Sequence, residues 1–254
     1  MPDPVAFIGI DPTTSVRSMT CAVLDADLRI RLLATASLNE LVRVILPRYE
    51  RAVCGVNAAA GPNRALLMQP AYRQQVGLDP ERTNYGNYRV CEYELRRRGI
   101  YVKYTPTDSG RIPLAVQEGW ELYRLLYGMG YVSYPEEGPR QVFETNAQAV
   151  FTVLLNTQPY TKTSLEGMLQ RQLALHEEGI NVPDPIYTLQ EWTRHRLLTG
   201  TVNMSDVYDA AQLDALATAF TAYVVAAEPE RVVLVGDDTE GQILLPTPEL
   251  RESY

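Results

Sequence analysis

The chain has 254 residues, 46% apolar and 21% charged, close to ordinary soluble usage and long enough for one sizeable core. A net charge of −8 argues against broad electrostatic binding to duplex DNA, which needs many phosphate-neutralising cations. Neither an apolar run of about 18 residues nor a basic-then-apolar leader is visible, so the expectation is no membrane span, no signal peptide and a cytoplasmic setting.

The chain opens on Phe7-Ile8-Gly9-Ile10-Asp11, an apolar run that ends on a carboxylate. Pro12 cannot extend a ladder, so the strand stops there. Continuous apolar residues mark a strand buried on both faces, and its last side chain stands at the sheet edge where open α/β sheets bind ligands. Asp11 is either an acid held at that rim or a cap for the turn made with Pro12, Thr13 and Thr14. Residues 18–25 and 29–35 read as strands joined by the polar turn Asp25-Ala26-Asp27, giving a β-β-β opening. Cys21 and Cys54 sit in apolar runs as small core residues, and with Cys91 they form neither a disulfide framework nor a zinc pattern.

Residues 38–49 have helical spacing, with Leu41, Val42, Ile45 and Leu46 on one face and Ser37 as N-cap. Residues 51–57 return to a strand, parallel to the first and ending on Asn57. Within residues 58–99, Gly61-Pro62 marks a loop. From residue 82 to 104 the charge reverses. Arg82, Arg89, Arg96, Arg97, Arg98 and Lys103 face only Glu92 and Glu94, and five tyrosines are interleaved. A strand is expected over 100–104 and a helix over 113–131, broken by Gly128-Met129-Gly130.

Residues 141–144 form a short strand ending on Glu144, and Asn146 can cap a helix over 147–155. Thr163 and Glu166 suggest a capping box for a helix to about Glu178, stopped by Gly179. Another helix is expected over 188–198, closed by Gly200. Residues 210–227 form a long apolar helix with Asp214 as its single internal charge. Residues 231–235 and 242–245 should pair as a hairpin.

Three strand ends thus offer Asp11, Asn57 and Glu144, and one apolar helix offers Asp214. An acid in an apolar helix is costly unless paired or bound to metal. Carboxylates converging at one edge repel each other without a cation, and Mg²⁺ or Mn²⁺ suits such oxygen donors. Two such ions about 3.5–4 Å apart can clamp both oxygens of a phosphodiester displacement. The plainer alternative pairs Glu144 with an arginine and Asp214 with a backbone amide. In the basic segment, Arg89, Arg96, Arg97, Arg98 and Lys103 are candidate nucleic-acid contacts, with the tyrosines as stacking partners. The plainer alternative has half-buried tyrosines and arginines paired with surplus carboxylates. His176 and His195 read as surface residues without a neighbouring nucleophile.

The segments 7–11, Tyr93-Glu-Leu-Arg-Arg-Arg-Gly99, Val142-Phe-Glu-Thr-Asn-Ala147, Ser164-Leu-Glu-Gly-Met-Leu-Gln-Arg171, Leu213-Asp-Ala-Leu-Ala217 and Gly236-Asp-Asp-Thr-Glu-Gly-Gln-Ile-Leu-Leu-Pro246, in that order, resemble the domain of unknown function 429 family. That family is grouped with predicted nucleases of the ribonuclease H-like superfamily. The resemblance implies one α/β domain built on a ribonuclease H-like mixed sheet. Its first three strands would be antiparallel, with helices on both faces, helical insertions near 58–99 and 160–205, and a C-terminal hairpin over 231–246. It also implies acids at Asp11, Glu144 and Asp214, Mg²⁺ or Mn²⁺, and a nucleic-acid substrate. Two positions depart from the pattern: Asn57 ends the fourth strand where the family usually has Asp, and Ala211 stands where the superfamily's resolvases carry another acid.

Two other classes remain. An actin-like or sugar-kinase-like ATPase shares Gly-Ile-Asp followed by Thr-Thr, but residues 12–20 lack the glycine a phosphate loop needs. A non-catalytic protein that binds nucleic acid or another protein on the same fold would tolerate Asn57.

Overall fold

The computed structural model describes residues 5–12, 18–81, 84–107 and 112–254; the Thr13-Thr14 turn and Arg82 lie outside them. Strand β1 (Ala6–Pro12) pairs antiparallel with β2 (Ser18–Leu24), which pairs antiparallel with β3 (Ile30–Ser37). On its other side β1 runs parallel to β4 (Ala52–Val56), and β4 to β6 (Arg140–Glu144). The short β5 (Val132–Ser133), not expected from the sequence, also pairs with β6. Beyond β6 lie β8 (Gly241–Leu245), parallel to it, and β7 (Val233–Asp237), antiparallel to β8. The sheet order is β3-β2-β1-β4-β6-β8-β7, the mixed antiparallel-then-parallel α/β sheet expected from the sequence.

Side chains alternate between the two faces, and the cores follow that parity. Phe7, Ala22, Leu24, Val53 and Phe143 join one core with α5 (Ala147–Leu155), α6 (Leu165–Glu177) and α9 (Ala210–Ala227). Ile8, Ile10, Cys21, Val23, Cys54, Val56 and Val142 join the opposite core. There they meet Leu41, Ile45 and Leu46, and Leu122, Tyr123 and Leu126 of α4 (Leu114–Gly128).

Two glycines bring α9 onto the centre of the sheet. A Cβ at Gly9 would overlap the Ala215 carbonyl oxygen and the Ala219 amide nitrogen, and one at Gly55 would sit 2.9 Å from the Thr218 carbonyl oxygen. Helix and strand are therefore in backbone contact, as a Cβ would forbid. Asp209 caps α9 by accepting from the Gln212 amide, with Gln212 returning the bond. This helix is long and apolar enough to span a membrane, but it serves as the core helix on the sheet, with 67% of its most apolar window buried.

Several boundaries differ from expectation. Residues 38–48 are helical, but α1 (Leu38–Glu40) passes through a π turn (Leu41–Ile45) into a 3-10 turn (Leu46–Arg48). The wider π turn still places Leu41, Ile45 and Leu46 on the buried side, and Ser37 caps as expected. Residues 100–104 join no strand of the sheet and are irregular, not a strand. Insertion 58–99 carries a 3-10 turn (Leu66–Met68), α2 (Pro70–Gln75) and α3 (Val90–Arg97). Ser164, not Thr163, caps α6, with its hydroxyl accepting from Gly167. The helix expected over 188–198 is two: α7 (Pro185–Gln190), capped by Asp184, and α8 (Arg194–Leu198), capped by Thr193. Each cap satisfies a fresh set of free amides, so the chain restarts instead of continuing.

Candidate active site at the sheet edge

Asp11, the penultimate residue of β1, and Asn57, just past β4, stand in neighbouring positions. Asp11 has the parity of Gly9, so its carboxylate faces α9, one turn along from the Gly9–Ala215 contact. The Asn57 side chain donates from Nδ2 to Asp11 Oδ1 at 2.7 Å and accepts at Oδ1 from the Ala147 amide at 2.9 Å. It locks Asp11 to the N-terminus of α5 and is more than a turn residue. Asp214, on the first turns of α9, accepts a 2.7 Å ion pair from Lys162 Nζ.

Both acids are buried, Asp11 to 7% and Asp214 to 3% exposure. Burial, then the charge of Asp214, push the Asp11 carboxyl from its ordinary 3.8 up to about 7, against the Asn57 bond and the charge of Lys162. Burial also raises Asp214, even though Lys162 and Arg171 pull it down. Lys162 is itself raised: burial lowers it, but the charge and hydrogen bond of Asp214 outweigh that. Both partners rise because Asp214 is buried while half of the Lys162 side chain is in water. A solvated ammonium returns less than the carboxylate loses on desolvation.

Glu144 is placed differently. It occupies the row of Ile10 and Val56, so it points to the α4 face, opposite Asp11. The Arg89 guanidinium grips both its oxygens, Nη1 to Oε2 at 2.9 Å and Nη2 to Oε1, and the Ala60 amide donates to Oε2 at 3.0 Å. Arg89 also bonds Glu92, which accepts from the amide and hydroxyl of Thr105. Glu240, from the β7–β8 hairpin, accepts from the amides of Arg64 and Val90. The sequence reading placed Glu144 with Asp11 and Asp214 as catalytic and metal-binding; the sheet parity separates it from them. Among the described residues, no group of three His, Cys, Asp or Glu is placed to hold a metal.

The nucleic-acid candidates also divide. Arg89 is 1% exposed and neutralised, which removes it from the surface set. Arg97 and Arg98 both pair with Glu94. Arg96 stacks on Tyr88 and Tyr101. Lys103 is exposed and lines a cleft of about 950 Å³ over the sheet edge. Asp11, Asn57, Glu144, Lys162, Arg171 and Asp214 line the same cleft.

The sequence reading missed Lys162 and Arg171. Arg171 is buried, yet its guanidinium donates to the carbonyls of Tyr160 and Gly167 and to Gln148 Oε1 rather than to a carboxylate, and its Nε has no hydrogen-bond partner among the described residues. One available sequence signal was overlooked: Lys103 and Lys162 are the chain's only lysines, and both line this cleft.

Fold and site together define an α/β protein with a buried carboxylate pair at the carboxyl edge of a mixed sheet. No protein-family model, curated protein or solved structure matches this chain.

Proposed function

We propose that this protein is a divalent-metal-dependent phosphodiesterase acting on nucleic acid, with the ribonuclease H-like arrangement its sequence resembles. The sheet order, antiparallel through β3-β2-β1 and then parallel, supports that arrangement. One observation carries the reading: Asp11 and Asp214 are both buried in the lining of one cleft, and Asp11 is raised to about 7 by burial and by the charge of Asp214, with only the neutral Asn57 amide bonded to it among the described residues. Lys162 pairs with Asp214 and leaves Asp11 without a cation bonded to it among the described residues, and the oxygens of both acids are the donors Mg²⁺ and Mn²⁺ prefer. Asp11 and Asp214 would hold the ion, which supplies Lewis-acid polarisation and an activated water. Asn57 fixes the Asp11 carboxylate. Lys162 balances Asp214 and, being half in solvent, can turn to a substrate phosphate. Arg171 adds buried positive charge behind it. Glu144 leaves the ligand set and braces the cleft wall through Arg89. Three free, buried cysteines fit a reducing, cytoplasmic setting.

A non-catalytic binder on the same fold is favoured by one feature, Lys162 already standing on Asp214. Calorimetric titration with Mn²⁺ and cleavage of a labelled oligonucleotide separate the two. The phosphodiesterase reading expects saturable binding and cleavage, both lost in Asp11→Asn and Asp214→Asn. Binding without cleavage supports the non-catalytic reading, and absence of Mn²⁺ binding removes the metal site.

A further inference from the structure

Building on the phosphodiester reading of this cleft, we propose that its substrate is single-stranded nucleic acid, with bases stacked on a rim of tyrosines. Tyr101, Tyr104 and Tyr160 line the cleft and are 60%, 60% and 62% exposed. Three rings this exposed around one cleft leave apolar surface open to a ligand. Two are held in place before any ligand arrives. The Arg96 guanidinium lies between the rings of Tyr88 and Tyr101, at 5.0 and 4.7 Å from their centroids, and donates to the Val102 carbonyl at 2.6 Å. Tyr88 meets Tyr104 edge to face at 6.3 Å. A ring fixed in advance loses little freedom when a base stacks on it.

The cations fall in step with the rings. Lys103 lies between Tyr101 and Tyr104, and Lys162 follows Tyr160 by two residues. Aromatic faces alternating with solvent-reaching ammonium groups are what a single strand requires, a stack for each base and a charge for its phosphate. In a duplex the bases are already paired and stacked, so the tyrosines gain nothing. Its broad phosphate surface also needs more free cations than this acidic chain presents. Arg97 and Arg98, held by Glu94, take no part.

The test is fluorescence anisotropy in EDTA with labelled oligothymidylate, oligodeoxyadenylate and a duplex of equal length. Single strands should bind at least tenfold more tightly than the duplex. Tyr101→Ala and Tyr160→Ala should each weaken binding on the order of tenfold, while the Phe variants stay near wild type because the stacking face remains. Lys103→Gln should reduce the salt slope by roughly 0.7. All three residues are exposed, so the variants keep the fold. Equal binding of duplex and single strand, Ala variants that bind like wild type, or no oligonucleotide binding would each overturn the proposal. EDTA removes the metal, so the two readings fail separately. Single strands that stack on the tyrosines but are not cut with Mn²⁺ refute hydrolysis alone. Strands cut with Mn²⁺ whose binding ignores the tyrosines refute this proposal alone.

Discussion

Replacing Asp11 with Asn should stabilise the metal-free protein, and more so as pH rises. Asp11 has a folded-state pKa raised from 3.8 to about 7, so the folded protein holds a proton that the unfolded chain releases. Stability from this group is therefore greatest below 3.8, is lost as pH climbs towards about 7, and is flat above. At about 1.36 kcal/mol per unit, the cost relative to a neutral side chain is about 2 kcal/mol at pH 5 and about 4 kcal/mol at pH 8. Asp214 titrates with it, so the figure belongs to the pair. Asparagine suits the site because its oxygen still accepts from Asn57 Nδ2. Urea unfolding in EDTA at both pH values measures the difference. Wild type should lose roughly 2–3 kcal/mol more than Asp11→Asn between pH 5 and pH 8, and the contributions of groups other than Asp214 cancel. Mn²⁺ at pH 8 should restore the loss in wild type only. Parallel pH profiles for the two proteins would refute the picture of two buried carboxylates in mutual repulsion.

Three further outcomes follow from the same geometry. Asn57→Asp replaces the donor on Asp11 with a like charge, so the apo melting temperature should fall at pH 8 and Mn²⁺ should bind more tightly; unchanged melting and affinity in paired calorimetry would show that residue 57 does not shape the site. Glu144→Ala leaves Arg89 and the Ala60 amide short of an acceptor in the interior and should cost roughly 3–5 kcal/mol in denaturant unfolding, with Mn²⁺ affinity unchanged in protein that remains folded. A matching loss of Mn²⁺ affinity would return Glu144 to the ligand set. Gly9→Ala should cost about 1–3 kcal/mol or more by lifting α9 off β1. It should also lower the Asp11 pKa by moving Asp214 away, which carboxyl chemical-shift titration reads directly; an unmoved titration would mean that the glycine contact does not set the spacing of the acids.

The amino-acid sequence by itself determined the local elements. The apolar runs of β1 and β4, the period of α9 and the caps Ser37 and Asn146 depend on contacts within a few residues, where side-chain chemistry sets conformation directly. It also singled out Asp11 and Asp214, because a carboxylate is conspicuous in an apolar segment. Where these elements met was decided by the tertiary structure. Each strand announces its own alternation, but only pairing fixes one strand's alternation against the next. The register aligns Glu144 with Ile10 and Val56, one residue short of Asp11 and Asn57, and one residue reverses the face. Arg89, in a run that reads as solvated, is drawn inside because the carboxylate of Glu144, 55 residues away, lies there. Lys162 reaches Asp214 across 52 residues for the same reason. Such long-range pairs leave no periodic trace, because a buried charge is compensated by whichever partner the fold brings within reach, not by a neighbour in the chain.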